Sequence, residues 1–571
     1  MSNLDRKWIL HDECPEGVRN KLGRWRDETV LQQLFWNRNI NNEADAMKFV
    51  LHQISHDTDP YLLIDMTKAV ERIFDAIDNK ELIVIYGDYD VDGVTATTVL
   101  KEGLDMYGAD SLTFIPDRNR EGYGIHSHVI KQFVEQGVKL IVSVDCGVTA
   151  IDEVDFANKS GIDTIITDHH QISGDMPQAY AIINPNRSDC NYPDKNLVGV
   201  GLAYKLVEAL VIKRTPYKNN VELDDLLQLV ALGTVADLGV LRGENRVMVN
   251  NGLKNINKKP RLGIKTLLES AYKKGDVSTD TIGFQLGPRI NAAGRMGDPS
   301  VALNLMISDN ESEAVTISQV LEKYNRDRQK ITREMTKQAV DLCKFDTGKQ
   351  EPYVLLIESP GFHKGLVGLI ASRLCEYYYR PTIIGHRVDG FITASARSIK
   401  EFNIIESLKQ CSHLFERYGG HPLAAGLTIN ESKWTSFVSL FEEIAKKQLE
   451  GLDLRPVLNI DCEVNGLDLT SRLTKQLEFF EPIGNGNNRP LFVWYGANVV
   501  TKKQVGQDKS HIKLMLDDGA GVILDAIGFG LGYKIDNLGS TIDLVFSLEI
   551  NEWNGKKSRQ LNLQDLRPHG V

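Results

Sequence analysis

Short runs of apolar residues alternate with longer amphipathic segments through the first half of the chain. The apolar runs lie at residues 82–86, 112–115, 140–144 and 164–167. Runs of this length that are bounded by polar residues are typical of strands buried on both faces, and the segments between them have helical length. The pattern predicts a doubly wound α/β domain, in which helices cover both faces of a mostly parallel sheet.

The second half of the chain has two further patterns. No Pro or Gly stands between Pro299 and Gly348, and apolar residues recur there at helical spacing, which predicts a helix of about 35 residues, roughly 50 Å long. A second α/β block follows up to about residue 450. The last 120 residues or so contain short apolar runs separated by Gly, Asp and Asn, which favours an OB-like β-barrel.

These patterns divide the chain into five predicted domains. A length of 571 residues is too great for one hydrophobic core. The predicted divisions are an N-terminal arm (1–45), a catalytic α/β domain (46–270), a linker with the long connecting helix (271–348), a second α/β domain (349–452) and an OB-like nucleic-acid-binding domain (453–571).

Composition narrows the class of protein without identifying it. The seven cysteines include no C-x-x-C pair, which argues against a disulfide framework and a thiolate zinc site. No run approaches the roughly 18 apolar residues of a membrane helix, and the first residues lack the pattern of a signal peptide. We therefore expect a cytoplasmic protein without a membrane partner. The net charge of −11 would not by itself suggest nucleic acid as a ligand.

Acidic and histidine side chains follow the predicted strands. The first of these strands is followed by Asp88, Asp90 and Asp92, the third by Asp145, and the fourth by Asp168, His169 and His170. A predicted helix over 223–235 leads to Asp237. Ligands bind in open parallel sheets beyond the carboxyl ends of the strands. The sequence therefore predicts that these side chains converge in one crevice.

A metal centre explains this concentration of carboxylates. Several carboxylates share a site in their ionised form only when cations neutralise them. Oxygen ligands with one or two imidazoles suit Mn²⁺ or Mg²⁺. Two such ions about 3.5–4 Å apart activate water and stabilise the attacking and leaving oxygens of a phosphoryl displacement. A single aspartate at a strand end is commonly only a helix cap, but four such segments favour a site.

Four motifs carry a resemblance to a known family. Gly-Asp-Tyr-Asp-Val-Asp-Gly at 87–93, Val-Asp-Cys-Gly at 144–147, Asp-His-His at 168–170 and Val-Ala-Asp at 235–237 resemble, in order and spacing, the motifs of the DHH phosphoesterase superfamily. The resemblance implies that Asp90 and Asp92 each bind one of two ions and that Asp145 bridges them. It also implies that His169 and Asp237 complete the shell of the second ion.

The resemblance leaves other positions of the motifs less defined. Asp88 is either a ligand or a group that orients water. His170 contacts the substrate phosphate or acts as an acid, and we group Asp168 with it as catalytic. Tyr86 stands where some members of the superfamily have His, which implies that the first ion binds more weakly or completes its shell with water.

Cationic and glycine-rich segments outside these motifs favour a substrate with a phosphate chain. They resemble the DHH enzymes that carry a DHHA1 domain and degrade single strands, and the run at 287–295 is the most specific part of that resemblance. The resemblance implies eight substrate contacts. Four of them would bind the 5′ end of a strand, namely Arg118, Arg289, Ser395 and Arg397. The other four are Asn291, Arg295, Gly420 and His421. The C-terminal module alternates lysines with aromatic residues, as in barrels that bind single strands, although a solvated basic face has the same composition.

The resemblance implies a 5′→3′ exonuclease that degrades single-stranded DNA to 5′-mononucleotides in DNA repair and recombination, with two Mn²⁺ or Mg²⁺ ions. It further implies a single-strand-binding protein and a RecQ-type helicase as partners. One rival is a DHH-type oligoribonuclease or cyclic-dinucleotide phosphodiesterase. The other is an inactive single-strand-binding scaffold, which the four intact motifs speak against.

Overall fold

The computed structural model describes residues 5–25, 27–52, 58–118, 120–172, 174–217, 222–343, 351–553 and 556–570. The chain forms two compact units. The parallel-sheet unit comprises His52–Gln329 and Glu481–Asn488, and the barrel unit comprises Met1–Leu51, Lys330–Phe480 and Arg489–Val571. In the part of the chain that the structure describes, every helix is too short or too polar to span a bilayer.

The strands belong to two larger sheets, a barrel and one short pair. They are β1 (Lys7–Leu10), β2 (Ile83–Tyr86), β3 (Ser111–Phe114), β4 (Leu140–Val144), β5 (Asp163–Thr167), β6 (Ala181–Ile183), β7 (Leu355–Ser359), β8 (Thr382–Val388), β9 (Phe391–Arg397), β10 (Phe415–His421), β11 (Ala424–Asn430), β12 (Val457–Ile460), β13 (Cys462–Glu463), β14 (Phe492–Val505), β15 (His511–Asp517), β16 (Ile523–Gly528), β17 (Thr541–Trp553) and β18 (Lys556–Pro568).

The α-helices range from single turns to one helix of 33 residues. They are α1 (Glu16–Arg19), α2 (Thr29–Trp36), α3 (Glu43–Leu51), α4 (Met66–Asp78), α5 (Val91–Asp105), α6 (Ser127–Glu135), α7 (Ile151–Lys159), α8 (Gly199–Lys213), α9 (Leu223–Ala236), α10 (Gly243–Lys258), α11 (Leu262–Ser270), α12 (Thr279–Thr281), α13 (Gly287–Met296), α14 (Ser300–Ile307), α15 (Glu311–Cys343), α16 (Val367–Tyr378), α17 (Ile404–Lys409), α18 (Trp434–Leu449) and α19 (Ser471–Leu477). A π-helix over Ile282–Leu286 joins α12 to α13.

The parallel-sheet unit is built on a five-stranded sheet in the order β3-β2-β4-β5-β6, with every pair parallel. Successive residues of β2 enter two separate hydrophobic clusters. Ile83 and Ile85 pack in one, and Val84 and Tyr86 pack in the other. Alternate side chains of a strand point to opposite faces, so both faces of the sheet are covered. This confirms the predicted doubly wound α/β fold.

The strand order places a topological switch point between β2 and β4, since the chain adds β3 on one side of β2 and β4 on the other. Open α/β sheets bind ligands at this point, beyond the carboxyl ends of the strands. The loops that follow β2 and β4 carry four of the predicted metal ligands. The fold therefore positions the predicted crevice where such sheets place their sites.

The helix of about 35 residues that was predicted between Pro299 and Gly348 is confirmed as α15, and the shorter α14 precedes it. Residues 308–310 separate α14 from α15, and α15 alone has 33 residues. Ser308 and Asn310 both use their side chains to bind the first turn of α15. Such local hydrogen bonds compete with helix continuation and favour a new N-terminus.

The barrel unit contains a mixed sheet in the order β10-β11-β9-β8-β7, in which only β7 and β8 pair in parallel. Its C-terminal strands close a five-stranded barrel, because β14 pairs with both β15 and β17, and β18 lies between β16 and β17. The second α/β domain and the OB-like barrel are thus confirmed. The sequence pattern did not reveal β18, where polar residues alternate with leucines.

Residues 5–25 and 27–51 pack into the barrel unit. Strand β1 pairs in parallel with β12. Leu34 and Phe35 of α2 lie in one hydrophobic cluster with Phe480 and Phe492. The aromatic residues noted near the N-terminus therefore help to form the core of this unit.

Candidate metal centre

The loop between β2 and α5, together with the first turn of α5, presents three aspartates. Asp90 caps α5 by accepting a hydrogen bond from the Gly93 amide at 3.1 Å. Asp92, in the first turn of α5, is buried and accepts hydrogen bonds from the amides of Gly199 at 2.7 Å and Val200 at 2.8 Å. Both amides belong to the first turn of α8, where backbone donors lack helical partners. The N-terminus of α8 therefore fixes the Asp92 carboxylate.

Asp145 follows β4 directly and is buried. Its φ angle of +62° is uncommon for a residue other than glycine, and such strained residues cluster at functional sites. The Asp145 amide donates to the Thr167 carbonyl at 2.9 Å, which ties this loop to the end of β5.

His169 lies among three carboxylates. Its Nε2 atom is 3.1 Å from Oδ1 of Asp145 and 3.7 Å from Oδ2 of both Asp92 and Asp237. The His169 carbonyl accepts a hydrogen bond from Nδ2 of Asn186 at 2.6 Å, which fixes the backbone at this position. Residues from β5, α5, the β4 loop and the end of α9 thus meet at one imidazole.

The predicted ligands form three overlapping groups with ligand atoms within 4.8 Å of one another. Asp145 and His169 each belong to two of them. The groups are Asp88, Asp90 and Asp145; Asp92, His169 and Asp237; and Asp145, His169 and His170. The structure therefore brings together all six residues that were predicted as ligands.

The electrostatics of the crevice fit a cation. Burial, followed by the neighbouring carboxylates, raises the pKa of Asp88 and Asp145 well above the usual range. The same causes raise the pKa of Asp92 and Asp237 to about 7. None of the described residues donates a hydrogen bond to the buried Oδ1 atom of Asp88. Carboxylate and imidazole donors with unmet charge suit Mn²⁺ or Mg²⁺.

His170 pairs with Asp168, whereas His169 lies closest to Asp145. The Nδ1 atom of His170 lies 2.7 Å from Oδ1 of the fully buried Asp168 and 3.1 Å from the Tyr123 hydroxyl. Burial opposes protonation, but the hydrogen bond and charge of Asp168 prevail and raise the pKa of His170 to about 9. Asp168 also accepts a hydrogen bond from the Val148 amide at 3.0 Å. Asp168 thus pairs with His170 and does not belong to the ligand groups.

Tyr86 is part of a hydrophobic core cluster. It stands at the position where some DHH proteins have His. It is fully buried, contacts Phe114 and Phe133, and donates a hydrogen bond to the Gly124 carbonyl at 3.1 Å.

Three guanidinium groups lie near one another, and those of Arg118 and Arg295 lie beside the first motif. Burial and the nearby charges of Arg118 and Arg328 lower the pKa of Arg295 to about 10. The Arg118 guanidinium lies 5.2 Å from the centre of the Tyr89 ring. We call Arg118, Arg295 and Arg328 the arginine cluster. Sequence reasoning identified the first two but missed Arg328, because one arginine among many charges on a long helix carries no local signal.

Arg289 is held by residues of its own unit. Its Nε donates to Oε2 of Glu322 at 2.7 Å, and its Nη1 donates to the Gln285 carbonyl at 2.7 Å. Asn291 lies two residues further along α13 and is partly exposed. Both predicted substrate residues therefore lie on α13, and only Arg289 has an ion-pair partner that orients it.

The remaining predicted substrate residues lie in the barrel unit. Ser395 and Arg397 are on the same face of β9, and a Cβ atom at Gly368 would lie 3.5 Å from Oγ of Ser395 and 3.2 Å from Nη2 of Arg397. Gly420 has a φ of +146°, and a Cβ there would clash with the Ala424 carbonyl at 2.4 Å. His421, at the end of β10, is exposed.

Glycines that support the site were not among the predicted residues. A Cβ at Gly199 would lie 2.5 to 2.8 Å from three side-chain atoms of Asp145, and a Cβ at Gly233 would lie 2.8 Å from Oδ1 of Asp92. Both glycines are in helices, α8 and α9, where glycine costs about 1 kcal/mol relative to alanine. A glycine inside a predicted helix, where alanine would be more stable, therefore indicates that another group packs closely against the backbone there.

Changing Gly199 to alanine is expected to lower the free energy of unfolding by about 1–3 kcal/mol, since the added methyl group overlaps Asp145. The displaced Asp145 should also weaken Mn²⁺ binding. Denaturant unfolding and Mn²⁺ titration of the purified variant measure the two effects. Gly283→Ala is the control, because nothing lies within 4 Å of a Cβ there. Unchanged Mn²⁺ affinity in Gly199→Ala would contradict the role given to this contact.

Comparison with known proteins agrees with this architecture. Residues 82–234 match the DHH family N-terminal domain, residues 351–447 match the DHHA1 domain, and residues 460–565 match the RecJ OB domain. The fold and the acidic crevice thus define a DHH-type protein with a DHHA1 domain and a C-terminal barrel.

Relatives that align with nearly the whole chain identify the family within this class of DHH-type proteins. The chain is 36% identical to the single-stranded-DNA-specific exonuclease RecJ of Bacillus subtilis, over 98% of this chain and 70% of that protein. It is 33% identical to the protein of the same description from Escherichia coli, over 94% and 96% of the two chains. The chain belongs to the RecJ family of nucleases.

Solved structures of relatives contain metal ions. The crystal structure of Thermus thermophilus RecJ in complex with Mn²⁺ superimposes with a TM-score of 0.83 at 26% identity, covering 98% of this chain and 79% of that one. A Mg²⁺ complex from the same organism superimposes with a TM-score of 0.78 at 24% identity, covering 99% and 79%. Those proteins hold the ions that the donor set of the present crevice also suits.

Proposed function

We propose that this protein is a 5′→3′ exonuclease that hydrolyses single-stranded DNA to 5′-mononucleotides with two divalent ions, Mn²⁺ or Mg²⁺. The observation that carries the proposal is the convergence of carboxylates and an imidazole from four distant segments in a member of the RecJ family. The direction of cleavage and the preference for DNA rest on family membership. Repair and recombination are the corresponding cellular roles.

The three ligand groups suggest how the ions would be held. Asp88, Asp90 and Asp145 would bind one ion, and Asp92, His169 and Asp237 would bind the other. Asp145 lies 3.1 Å from His169, which places it within reach of both groups. When bound, such ions supply a nucleophilic hydroxide at neutral pH and stabilise charge on the leaving oxygen.

His170 and Asp168 complete the proposed chemistry. Asp168 occupies Nδ1 of His170 and keeps the ring protonated, as the raised pKa of about 9 indicates. Nε2 is then the ring nitrogen that remains to donate a hydrogen bond to a phosphate oxygen. We therefore assign His170 to the substrate phosphate and Asp168 to the orientation of His170.

The arginine cluster would bind the phosphate backbone beside the scissile bond. Guanidinium groups match phosphate oxygens in geometry and charge, and three of them close together repel one another until an anion binds. Arg289 and Asn291 of α13 would continue this surface. Ser395, Arg397, Gly420 and His421 would form a phosphate-binding face of the second α/β domain, as the family resemblance implies.

The proposed function extends to the barrel, the protein partners and the compartment. The barrel would guide the single strand by stacking and phosphate contacts. A single-strand-binding protein and a RecQ-type helicase would be its partners, and the cytoplasm its compartment. The five domain boundaries predicted from the sequence are likewise part of the proposal.

Incubation of the protein with single strands labelled at the 5′ end or internally, in the presence of Mn²⁺, tests the proposed function. We expect labelled mononucleotides from the 5′ end before any internal label is released. We also expect kcat/KM for single strands to exceed that for blunt duplex by at least about tenfold.

Two other outcomes would favour the rivals. Faster hydrolysis of two- to five-residue RNA or of a cyclic dinucleotide would indicate an oligoribonuclease or cyclic-dinucleotide phosphodiesterase. Strand binding without any hydrolysis at saturating Mn²⁺ would indicate an inactive scaffold.

A further inference from the structure

A short segment from the C-terminal third of the chain packs in the parallel-sheet unit. Residues Glu481–Asn488 belong to that unit, whereas the residues that flank them in the sequence belong to the barrel unit. Gly484 and Asn487 form an isolated antiparallel bridge, so the segment is a tight turn. We call this segment the brace.

The brace contacts the turn that follows α9, which carries Asp237. Asp237 is the C-cap of α9, and Leu238 after it has a φ of +58°. The Gly239 amide donates to the Thr234 carbonyl at 2.8 Å, and the Leu238 amide donates to the Val235 carbonyl at 3.2 Å. This pair of bonds is a Schellman motif, whose left-handed position is usually glycine.

Leucine at this position is unfavourable unless another contact holds the turn. The left-handed conformation is sterically unfavourable for a residue with a Cβ atom. The Leu238 side chain is 71% exposed and so regains little of this cost by packing. The Asp237 turn therefore depends on other contacts for its conformation.

Asn485 of the brace supplies contacts on both sides of this turn. Its Nδ2 donates to the Leu238 carbonyl at 2.7 Å, and its own carbonyl accepts a hydrogen bond from the Leu241 amide at 2.7 Å. Next to it, the Gly486 carbonyl accepts a hydrogen bond from Nε of Arg242 at 2.8 Å. The turn that presents Asp237 is thus bound at Leu238, Leu241 and Arg242.

Two glycines of the brace permit this close approach. A Cβ at Gly484 would lie 2.7 Å from Cδ1 of Leu241. Gly486 has a φ of +74°, and a Cβ there would lie 2.6 Å from Cγ1 of Val240. Larger residues at either position would separate the brace from the turn.

The brace is itself anchored to the body of the unit. The buried Arg246 donates from Nη2 to the Glu481 carbonyl at 2.6 Å and from Nη1 to the Pro482 carbonyl at 3.2 Å. The Thr279 hydroxyl donates to the Ile483 carbonyl at 2.6 Å. These bonds fix the backbone on the side of the brace away from Asn485.

We propose that the brace positions Asp237 for metal binding, and that Asn485 is the positioning residue that holds the strained turn. The proposal rests on the proposed function, since it gives Asp237 a metal to bind. Outer contacts that orient a ligand typically affect metal affinity by 10- to 100-fold. Metal binding then depends on a segment more than 240 residues away from Asp237 in the sequence.

Asn485→Ala in the full-length protein tests this proposal. We expect about tenfold weaker Mn²⁺ binding by calorimetry, and nuclease activity that recovers as Mn²⁺ is raised. Strand affinity in EDTA should not change. Asn255→Ala is the matched control, because Asn255 donates to the Asp224 carbonyl at 2.6 Å near the other end of the same helix. Its Mn²⁺ affinity should equal that of the wild type.

A second variant separates positioning from general destabilisation. Leu238→Gly removes the strain that the brace opposes, since glycine adopts this φ without cost. The double variant Asn485→Ala/Leu238→Gly should therefore regain most of the lost Mn²⁺ affinity. Failure to regain it, or wild-type affinity in Asn485→Ala alone, would overturn the proposal. Absence of Mn²⁺ binding or hydrolysis in the wild type would instead overturn the proposed function.

If Asn485→Ala fails to fold, Arg242→Ala provides the same test from the opposite side of the turn. This variant loses the side-chain bond to the Gly486 carbonyl but keeps the backbone contacts of the turn. A weaker but measurable loss of Mn²⁺ affinity is expected. An affinity equal to that of the wild type would count against the brace.

Discussion

Replacing Asp145 with alanine is expected to lower kcat/KM for hydrolysis of single-stranded DNA by about a thousandfold or more. Asp145 belongs to two of the three ligand groups and lies 3.1 Å from His169, so its loss affects both proposed ions. Metal-assisted stabilisation of the transition state contributes several kcal/mol, and each 1.36 kcal/mol is a factor of ten in rate. Single-turnover cleavage of a labelled strand measures the loss.

The same variant should still bind the strand. The arginine cluster is unchanged in Asp145→Ala, so strand affinity in EDTA should equal that of the wild type by fluorescence anisotropy. Asp110→Ala is the matched control, because Asp110 is exposed and precedes β3 at the opposite edge of the same sheet. More than a tenth of wild-type activity in Asp145→Ala would refute the proposed metal centre.

Mn²⁺ is expected to stabilise the folded protein strongly. An ion at a concentration 100 times its Kd adds about 2.7 kcal/mol to the free energy of unfolding. For a unit of this size the added free energy raises Tm by roughly 5 °C or more. Thermal unfolding with EDTA or Mn²⁺ measures the difference, and Asp145→Ala should show little of it. The absence of a shift in the wild type would contradict metal binding.

The pH dependence of this stabilisation has a definite sign. Without metal, the pKa of Asp92 and Asp237 is raised to about 7 in the folded protein, compared with an ordinary value of 3.8. The folded state therefore holds protons that the unfolded chain loses near pH 4, and the contribution of these groups to stability falls as pH rises from about 4 to 7. Mn²⁺ must displace the same protons. The Tm shift on adding Mn²⁺ should therefore grow between pH 5.5 and 8, and an equal shift at both values would contradict the assignment.

The strands and the convergence of the candidate metal ligands could be predicted from local patterns. Strand β4 was predicted at 140–144 and is Leu140–Val144, and the helix predicted over 223–235 is Leu223–Ala236. Parallel strands end at the same edge of their sheet, so side chains that follow them in the sequence must lie near one another. This rule requires no knowledge of long-range packing, and it was sufficient to place Asp90, Asp145 and His169 together.

Contacts between segments that are distant in the sequence could not be predicted from any local sequence pattern. Arg328 joins the arginine cluster only because α15 packs against α13, which carries Arg295. Nothing around Arg328 in the sequence distinguishes it from its neighbours. Strand β18 was missed because it lacks a continuous apolar run, although its buried Leu561 and Leu563 alternate with polar residues. The N-terminal residues were predicted as an arm, and their place in a core with Phe480 depends on a partner more than 400 residues away.

The sequence by itself thus determined the fold class, the acidic crevice and the chemical type of its candidate ligands. These features follow from hydrophobic periodicity and from the residues that end each strand, and both can be recognised within a few consecutive residues. Folding alone specified which groups orient those ligands: the α8 amides on Asp92, Gly199 against Asp145, and Asn485 against the Asp237 turn. Each of these contacts joins segments that are far apart in the sequence. Their geometry follows from the packing of whole helices and sheets, which no local pattern encodes.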